Sequence, residues 1–285
     1  MNVLKIDYKA ANAPQLFTKS LHHTGFAVIV NHPVDAEATK KLYVAWNEFF
    51  NSSEKTEWLV NKKTQEGYVP PSIAEIAKGN EIRDLKEFYN FYAWGKCPVP
   101  LKQLTQQIYD QLFSVAATLL HWLDDNTPAD VKAKFSETLV KMVENTTKNL
   151  FRINYYPGLT GKEEPGALRA AAHEDIDLLT VLTAGTQTGL QTQDLKGLWH
   201  DVPCDPGNLV INGGDMLEEA SGGYYPSTTH RVLNPTGEEA TLPRMSCPLF
   251  VHPRQEVVLS ERYTAESYLT ERLFELGLLK KAEAM

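Results

Sequence analysis

The spacing of hydrophobic residues divides the chain into a helical first half and a strand-rich second half. Helices are predicted at about 14–23, 35–50, 101–123, 127–144 and 264–280, where apolar residues recur at helical spacing or cap and turn residues bound the segment. Two short apolar strands are predicted at 3–8 and 26–30. After about residue 148 the apolar period changes from 3.6 to 2, which indicates a change from helices to strands.

The second half of the chain reads as a series of short strands. They are predicted at about 150–156, 178–184, 189–193, 198–202, 208–212, 228–233, 244–251 and 256–259. Gly, Pro and Asp separate them, and such spacing is typical of a sandwich or jelly roll. The fold class is therefore mainly β with flanking α.

The length and composition favour a single domain. The chain has 285 residues, of which 42% are hydrophobic, and β folds of this size are often one domain. We divide the domain 1–285 into an N-terminal helical and strand portion (1–148), a catalytic β core (149–262) and a C-terminal helix (263–285). Residues 60–100 are predicted to be a long loop with pieces of strand, and such loops often cover sites.

Charge and cysteine content limit the classes of partner and compartment. The net charge is −8 and no basic cluster stands out, which argues against nucleic acid or an anionic membrane as a partner. No apolar run could span a bilayer, and the first residues lack the pattern of a signal peptide. Three cysteines without a CxxC spacing favour a reducing cytoplasm. No obligate protein partner is evident.

His173, Asp175 and His230 are the strongest candidates for chemistry. His173 and Asp175 are two apart, so on an extended strand both side chains would leave the same face. His230, 57 positions after His173, can complete a face of two imidazoles and one carboxylate. This ligand set leaves open positions on iron(II) and is typical of non-haem iron oxygenases.

Zinc is the alternative metal for two histidines and a carboxylate. Zinc hydrolases usually carry the helical pattern His-Glu-x-x-His, and the second His is missing after His173-Glu174. Iron is therefore favoured. Among the other histidines His200 is the main competitor, but its neighbour Asp201 would point to the opposite strand face.

A second pair of residues suits a carboxylate. Arg244 and Ser246 are two apart in an apolar run, so they share a strand face. An arginine fork and a hydroxyl together match a carboxylate, which a keto-acid cosubstrate would present.

Several blocks of sequence resemble one family, the iron(II)/2-oxoglutarate-dependent oxygenases, in the branch similar to isopenicillin N synthase. The blocks include Gly25-Phe26 to Asn31-His32, Arg152-Ile153-Asn154-Tyr155-Tyr156-Pro157, Gly189-Leu190-Gln191 followed by Gly197-Leu198-Trp199 and Val202-Pro203, Pro206 to Leu217, and Ser227-Thr228-Thr229-His230-Arg231-Val232. They lie in the family's order and are densest between 150 and 252. The segment 60–100 resembles bacterial members more than plant enzymes.

The resemblance implies a double-stranded β-helix (jelly-roll, cupin-like) core with N-terminal helices and a C-terminal helix. It implies His173, Asp175 and His230 as iron(II) ligands, and Arg244 and Ser246 as holders of the far carboxylate of 2-oxoglutarate. Asn154 and Tyr156 match positions that assist the cosubstrate. O2 is the oxidant, and ascorbate is a candidate reductant.

The predicted function is an oxygenase that oxidises an unactivated C–H bond of a small molecule and releases succinate and CO2. Two alternatives stay open. An oxidase of the same fold would use no 2-oxoglutarate, and Arg244 and Ser246 would then bind a substrate carboxylate. A non-catalytic cupin-like module would bind a small carboxylate without turnover. The identity of the substrate and the oligomeric state are not readable from the sequence.

Overall fold

A computed structural model describes residues 1–74, 82–275 and 277, in which helices precede and follow a β-rich core. The helices in this part of the chain are α1 (Ala13–Thr24), α2 (Ala36–Asn51), α3 (Val99–Asn126), α4 (Ala129–Lys132), α5 (Leu139–Met142), α6 (Asp215–Ser221) and α7 (Ala265–Glu275). Short 3-10 turns occur at Glu54–Trp58, Pro71–Ile73 and Gly237–Thr241. None of the described helices is long and apolar enough to cross a membrane.

The strands pair into two sheets. The strands are β1 (Leu4–Asp7), β2 (Phe26–Val30), β3 (Gly67–Val69), β4 (Glu87–Phe91), β5 (Leu150–Tyr156), β6 (Ala170–His173), β7 (Leu179–Thr183), β8 (Leu190–Gln193), β9 (Trp199–Asp201), β10 (Leu209–Gly213), β11 (His230–Val232) and β12 (Arg244–Val251). The major sheet has the order β1-β2-β10-β7-β12-β5-β4-β3, and the minor sheet has the order β6-β11-β8-β9.

The two faces of the major sheet pack against different layers. In β12, Met245, Cys247 and Leu249 belong to the large core that the sheet shares with the helices. The alternate residues Ser246 and Phe250 line a cavity on the other face. This alternation follows from the period of two along a strand. The face with the cavity is therefore turned away from the helices.

A second, smaller apolar cluster lies between the two sheets. Its buried members are Phe26, Val28, Ala170, Leu190, Val202, Val210 and Val232. They come from β2 and β10 of the major sheet and from β6, β8 and β11 of the minor sheet, together with Val202 just after β9. Two sheets packed over a shared core are the layers expected of a jelly roll.

The first helices form where their cap residues predict. Asp35 precedes α2, and its Oδ1 accepts hydrogen bonds from the backbone N–H groups of Glu37 and Ala38. Helix α1 ends at Gly25, whose φ is +66°. A Cβ on Gly25 would lie 2.2 Å from Thr228 Oγ1, so this glycine also lets the loop that leads to His230 approach closely.

Three predicted elements differ in the structure. The helix predicted at 127–144 is two short helices, α4 and α5, because the carboxylate of Asp124 accepts hydrogen bonds from the N–H groups of Leu139 and Val140 and starts a new helix there. The prediction of a strand at 256–259 was wrong, because only Val258 pairs, in an isolated bridge to Thr264. The last helix, predicted at 264–280, is described as Ala265–Glu275, and residues 276 and 278–280 of the prediction lie outside the described residues.

The segment 60–100 contributes more regular structure than predicted. Strands β3 and β4 lie in it, and β4 pairs with β5 at the edge of the cavity. Helix α3 begins at Val99. Residues 75–81 of this segment lie outside the described residues.

Candidate functional site

His173 and His230 face each other across two neighbouring strands. They are register partners in the antiparallel pair β6–β11, at the last residue of β6 and the first of β11. Their ring centroids are 4.3 Å apart. The pairing therefore brings together two imidazoles that are 57 residues apart in the sequence.

Asp175 joins the two histidines, although not by strand alternation as predicted. Strand β6 ends at His173, and the chain then turns, with the carbonyl of Asp175 accepting a hydrogen bond from the N–H of Asp215 at the start of α6. The Oδ1 atom of Asp175 lies 3.8 Å from Nε2 of His173 and 3.7 Å from Nε2 of His230. The predicted grouping is present, but a turn and a helix start produce it.

Backbone carbonyls orient both imidazoles. Nδ1 of His173 lies 2.8 Å from the carbonyl oxygen of Ala171, and Nδ1 of His230 lies 3.1 Å from that of Thr228. Because a carbonyl can only accept, each Nδ1 carries the proton. Each Nε2 is left with its lone pair, and both Nε2 atoms face Asp175. This is the usual support for histidines that bind a metal.

The two oxygens of Asp175 have different surroundings. Oδ2 accepts hydrogen bonds from Thr180 Oγ1 at 2.6 Å and from Asn212 Nδ2 at 2.8 Å. Oδ1 is left to face the histidines. Burial alone would raise the pKa of Asp175, but the two imidazoles and these two hydrogen bonds lower it below the ordinary value. The buried group is therefore an ionised carboxylate.

The donor set fits a divalent metal. Burial, with the neighbouring His230, lowers the pKa of His173 to about 4, so its imidazole is neutral at physiological pH. Ligand atoms of His173, Asp175 and His230 lie within 4.8 Å of one another. Two imidazoles and one carboxylate on one face match the ligand set of non-haem iron(II).

No second group of three or more metal-ligating side chains occurs in residues 1–74, 82–275 and 277. His200, the predicted competitor, instead pairs through Nε2 with Oδ2 of Asp194 at 2.8 Å. Glu174 lies between the two ligand candidates in sequence, but it is exposed and accepts a hydrogen bond from Thr229 Oγ1.

The predicted carboxylate-binding residues lie on two paired strands of the major sheet. Arg244 is the register partner of Tyr156, and Ser246 is the register partner of Asn154. All four side chains line the cavity that also contains His173, Asp175 and His230. The period of two thus placed each pair on a shared strand face, as predicted.

Arg244 is the most informative residue at this end of the cavity. Its side chain is buried, with 1% of the residue exposed, and its Nε donates to the carbonyl of Gln187 at 3.1 Å. Its guanidinium lies over the ring of Tyr156 at 5.0 Å. The buried Nη1 atom has no hydrogen-bond partner. An unsatisfied buried charged donor is costly, so this atom fits a site for an anion.

Several supporting residues were not predicted from the sequence. Arg169 is fully buried, and its Nη1 donates to Gln187 Oε1 at 2.5 Å. Burial and the nearby Arg244 lower the pKa of Arg169 to about 10. Gln187 therefore connects two arginines, since its carbonyl holds Arg244. Thr180 and Asn212, which hold Asp175, were missed as well, although a buried Asn in the apolar run of β10 was a usable signal.

Two family models match this chain. The model of the 2OG-Fe(II) oxygenase superfamily matches residues 147–253, and the model described as non-haem dioxygenase in morphine synthesis N-terminal matches residues 7–111. A Shewanella oneidensis protein assigned as an oxygenase has a crystal structure with a TM-score of 0.89 and 49% identity, covering 98% of this chain and 100% of that one. The chain belongs to the 2OG-Fe(II) oxygenase superfamily.

Further oxygenases are more distant. DMR6-LIKE OXYGENASE 2 of Arabidopsis thaliana is 28% identical over 268 residues, which is 88% of this chain and 74% of the relative. A 2OG-Fe(II) oxygenase family protein of Caulobacter crescentus has a TM-score of 0.79 and 25% identity over 96% of this chain and 99% of that one. A full-length Neurospora crassa protein in complex with alpha-KG has a TM-score of 0.79 at 20% identity, covers 95% of each chain, and shows the same fold.

These relatives confirm the predicted jelly-roll fold and the predicted activity. The protein is an iron(II)- and 2-oxoglutarate-dependent dioxygenase, an oxidoreductase that uses O2. Family membership decides against the non-catalytic binding module. The matches do not distinguish the bacterial branch similar to isopenicillin N synthase, which stays a prediction.

Proposed function

We propose that this oxygenase binds iron(II) through Nε2 of His173, Nε2 of His230 and Oδ1 of Asp175. The observation that carries the proposal is the convergence of these donors within 4.8 Å, in the cavity that also contains Arg244. The protonated Nδ1 atoms and the hydrogen-bonded Oδ2 leave one donor atom on each side chain for the metal. Such a ligand set would hold the iron(II) and leave positions open for the cosubstrate.

We also propose that Arg244 and Ser246 bind the far carboxylate of 2-oxoglutarate. The partnerless Nη1 of Arg244 supports this role, because a carboxylate would supply the missing acceptor. Asn154 and Tyr156 lie opposite on β5 and assist in the same pocket. The keto acid would then extend from Arg244 towards the three metal ligands.

When bound, iron(II) with 2-oxoglutarate and O2 supplies the oxidising power for an unactivated C–H bond, with release of succinate and CO2. The residues of the chain supply placement. Thr180 and Asn212 hold Asp175 in one orientation, and Gln187 holds the Arg244 fork. Apolar residues of the cavity wall, such as Leu182 and Val232, exclude water from the reacting groups.

The substrate is proposed to be a small molecule, and no nucleic acid, membrane or obligate protein partner is needed. The net charge of −8 supports this, and the cavity between two sheets suits a small ligand. A cytoplasmic location and ascorbate as a reductant are further parts of the proposal. The sparse cysteines, which suit a reducing compartment, support the location.

The test is anaerobic addition of iron(II) and then 2-oxoglutarate to the apoprotein. The expected result is the weak visible charge-transfer band of a chelated keto acid, followed by succinate formation when O2 is admitted. If iron binds and no band forms, Arg244 and Ser246 do not hold the keto acid against the metal in this way, and the residue assignment is overturned.

A further inference from the structure

A second buried arginine, Arg169, lies beside Arg244 but does not line the cavity. It comes just before β6, and none of it is exposed. Its Nη1 donates to Oε1 of Gln187 at 2.5 Å, and its Nη2 donates to the carbonyl oxygen of Leu242 at 3.0 Å. Arg169 therefore reaches from the minor sheet to the segment before β8 and to the segment that enters β12, the strand of Arg244.

Gln187 connects the two guanidinium groups. Its side chain accepts the hydrogen bond from Arg169, and its backbone carbonyl accepts a hydrogen bond from Nε of Arg244 at 3.1 Å. The second acceptor of Arg169, the carbonyl of Leu242, lies two residues before Arg244 in the sequence. The position of one guanidinium group is therefore tied to the position of the other.

No carboxylate of the described residues is bonded to this pair of cations. In residues 1–74, 82–275 and 277, the hydrogen-bond acceptors of Arg169 and Arg244 are neutral oxygens of backbone carbonyls and of one amide side chain. Nε of Arg169 and Nη1 of Arg244 are buried and have no partner. Buried charges are usually paired with an opposite charge, so this part of the wall suits an anion.

Both guanidinium groups are positively charged at physiological pH. Burial and the neighbouring Arg244 lower the pKa of Arg169 to about 10, which still leaves it protonated. Tyr156 and Glu239 act on Arg169 in the opposite direction, and of these Glu239 is exposed. A carboxylate bound at Arg244 would therefore relieve the repulsion between the two arginines.

We propose, on the basis of the proposed role of Arg244, that Arg169 is a positioning residue for 2-oxoglutarate. Its positive charge strengthens the binding of the far carboxylate at Arg244, although Arg169 does not touch the keto acid. Coulombic attraction falls off only as the inverse of distance, so a cation separated from the anchor by Gln187 still contributes. The same charge favours a dicarboxylic keto acid, because an uncharged tail would leave both arginines without a counter-charge.

Arg169→Met tests the contribution of the charge. The Kd for 2-oxoglutarate is measured from the visible band of the iron(II) protein without O2, and the Tm of the apoprotein is recorded as a check of folding. The variant is expected to raise this Kd by about 5- to 30-fold, as one unit charge contributes at a separation of several ångströms in a site poor in water.

Arg169→Lys separates the charge of the side chain from its shape. An ammonium group has a lower ordinary pKa than a guanidinium group, and burial beside Arg244 would lower it further. The variant is therefore expected to bind 2-oxoglutarate within about threefold of wild type at about pH 6 and to approach the weaker affinity of Arg169→Met at about pH 8.5. The wild-type affinity is expected to stay constant over this range, because the guanidinium group keeps its proton.

Arg231→Met is the matched control. Arg231 also donates to the side-chain oxygen of a glutamine, Gln191, and is stacked on the ring of Trp199, but it does not line the cavity. This variant is expected to keep the Kd for 2-oxoglutarate within about twofold of wild type at each pH. An equal rise in Arg169→Met and Arg231→Met would mean that the net charge of the whole protein, and not Arg169, sets the affinity.

Two further results overturn the inference. One is an Arg169→Met protein whose Kd for 2-oxoglutarate is unchanged. The other is an Arg169→Lys protein whose Kd is raised equally at every pH, which would mean that the shape of Arg169, and not its charge, supports Arg244. If Arg169→Met does not fold, the pH series of Arg169→Lys still decides, because it compares one protein with itself.

Failure of the proposed function is recognised separately. The wild-type protein would then form no band, or Arg244→Gln would bind the keto acid normally. Neither result depends on a change at Arg169.

Discussion

The two carboxylate oxygens of Asp175 have different partners. Oδ2 accepts hydrogen bonds from Thr180 and Asn212, whereas Oδ1 faces the two histidines. Replacing Asp175 with Ala removes the charged donor and is expected to raise the Kd for iron(II) by at least about 100-fold, since even loss of a residue that supports a ligand typically costs 10- to 100-fold. Anaerobic titration of the apoprotein with iron(II) measures this Kd. The 2-oxoglutarate band is expected to disappear at the same time.

Glu174→Ala is the matched control for this variant. Glu174 is the adjacent carboxylate, but it is exposed and bonded to Thr229. Its removal is expected to leave the Kd for iron(II) within about twofold, as for other exposed substitutions. If the two variants lose iron(II) equally, Asp175 acts through overall charge and is not a ligand.

Arg244 is proposed to contribute to the affinity for 2-oxoglutarate through charge-assisted hydrogen bonds. Arg244→Gln is expected to raise the Kd for 2-oxoglutarate by about 10- to 150-fold, because such a bond contributes roughly 1.5 to 3 kcal/mol. Titration of the visible band measures the change, with the exposed Arg262→Gln as control. Unchanged affinity for the keto acid would show that Arg244 is not its anchor.

At the scale of the elements, two glycines next to the site are expected to have different effects when replaced. A Cβ on Gly214, before α6, would lie 2.3 Å from the carbonyl oxygen of Asp177, which is backbone and cannot move away. Gly214→Ala is therefore expected to lower the free energy of unfolding by about 1 to 3 kcal/mol.

Denaturant unfolding measures the effect of Gly214→Ala. Gly213→Ala is the control, because the nearest atom to its Cβ is 3.3 Å away in the flexible side chain of Leu217. The control is expected to lose less of its free energy of unfolding than the Gly214 variant. Equal stability of the two variants would contradict the role assigned to the close approach of the two segments.

A Cβ added at Gly185 would meet a side chain, whereas one at Gly214 would meet the backbone. A Cβ there would lie 2.7 Å from Nη2 of Arg244, so the guanidinium would have to move. Gly185→Ala is expected to leave the fold stable and to raise the Kd for 2-oxoglutarate by about 10- to 100-fold, since misplacement of about 1 Å costs that much in an organised site. A variant with normal affinity would show that Arg244 tolerates displacement.

The sequence predicted those parts of the site that depend on local period. Arg244 with Ser246, and Asn154 with Tyr156, were expected to share strand faces, and each pair lines the cavity. The arrangement of His173 and Asp175 was not predictable in the same way, because the chain leaves the strand after His173 and is held by α6, a helix that the pattern did not indicate.

Contacts between distant segments explain the remaining differences. Thr180 and Asn212 reach Asp175 from two other strands, and no spacing in the sequence links those three residues. The break between α4 and α5 likewise depends on Asp124 reaching forward to Leu139. Hydrophobic pattern predicts which face a residue occupies, but not its partner across a sheet.

At the scale of the whole molecule, the helices and the chemistry lie on opposite faces of the major sheet. The large core joins α1, α2 and α3 to one face, and the cavity with the metal ligands occupies the other. The rigid packing on the helix side holds β5, β7 and β12 in register, and those strands carry the cavity residues. The division into portions 1–148, 149–262 and 263–285 stays a prediction.

At the proposed site, iron(II) and 2-oxoglutarate would contact residues of both sheets. Their binding is therefore expected to stabilise the whole fold. A ligand at 100 times its Kd adds about 2.7 kcal/mol to the free energy of unfolding, and each kcal/mol raises the Tm of a chain of this size by about 2 to 4 °C. Anaerobic thermal unfolding with iron(II) and 2-oxoglutarate, each at about 100 times its Kd, is therefore expected to show a Tm about 10 to 20 °C above that of the apoprotein.

Two variants separate the contributions of iron(II) and of 2-oxoglutarate to this shift in Tm, when each variant is compared with its own apoprotein. Arg244→Gln is expected to keep the part due to iron(II) and to lose the part due to 2-oxoglutarate, whereas Asp175→Ala is expected to lose both. This order follows from the geometry, because the keto acid needs both the metal and the arginine, and the metal does not need the arginine. A full shift in Asp175→Ala would mean that the ligands bind elsewhere on the protein.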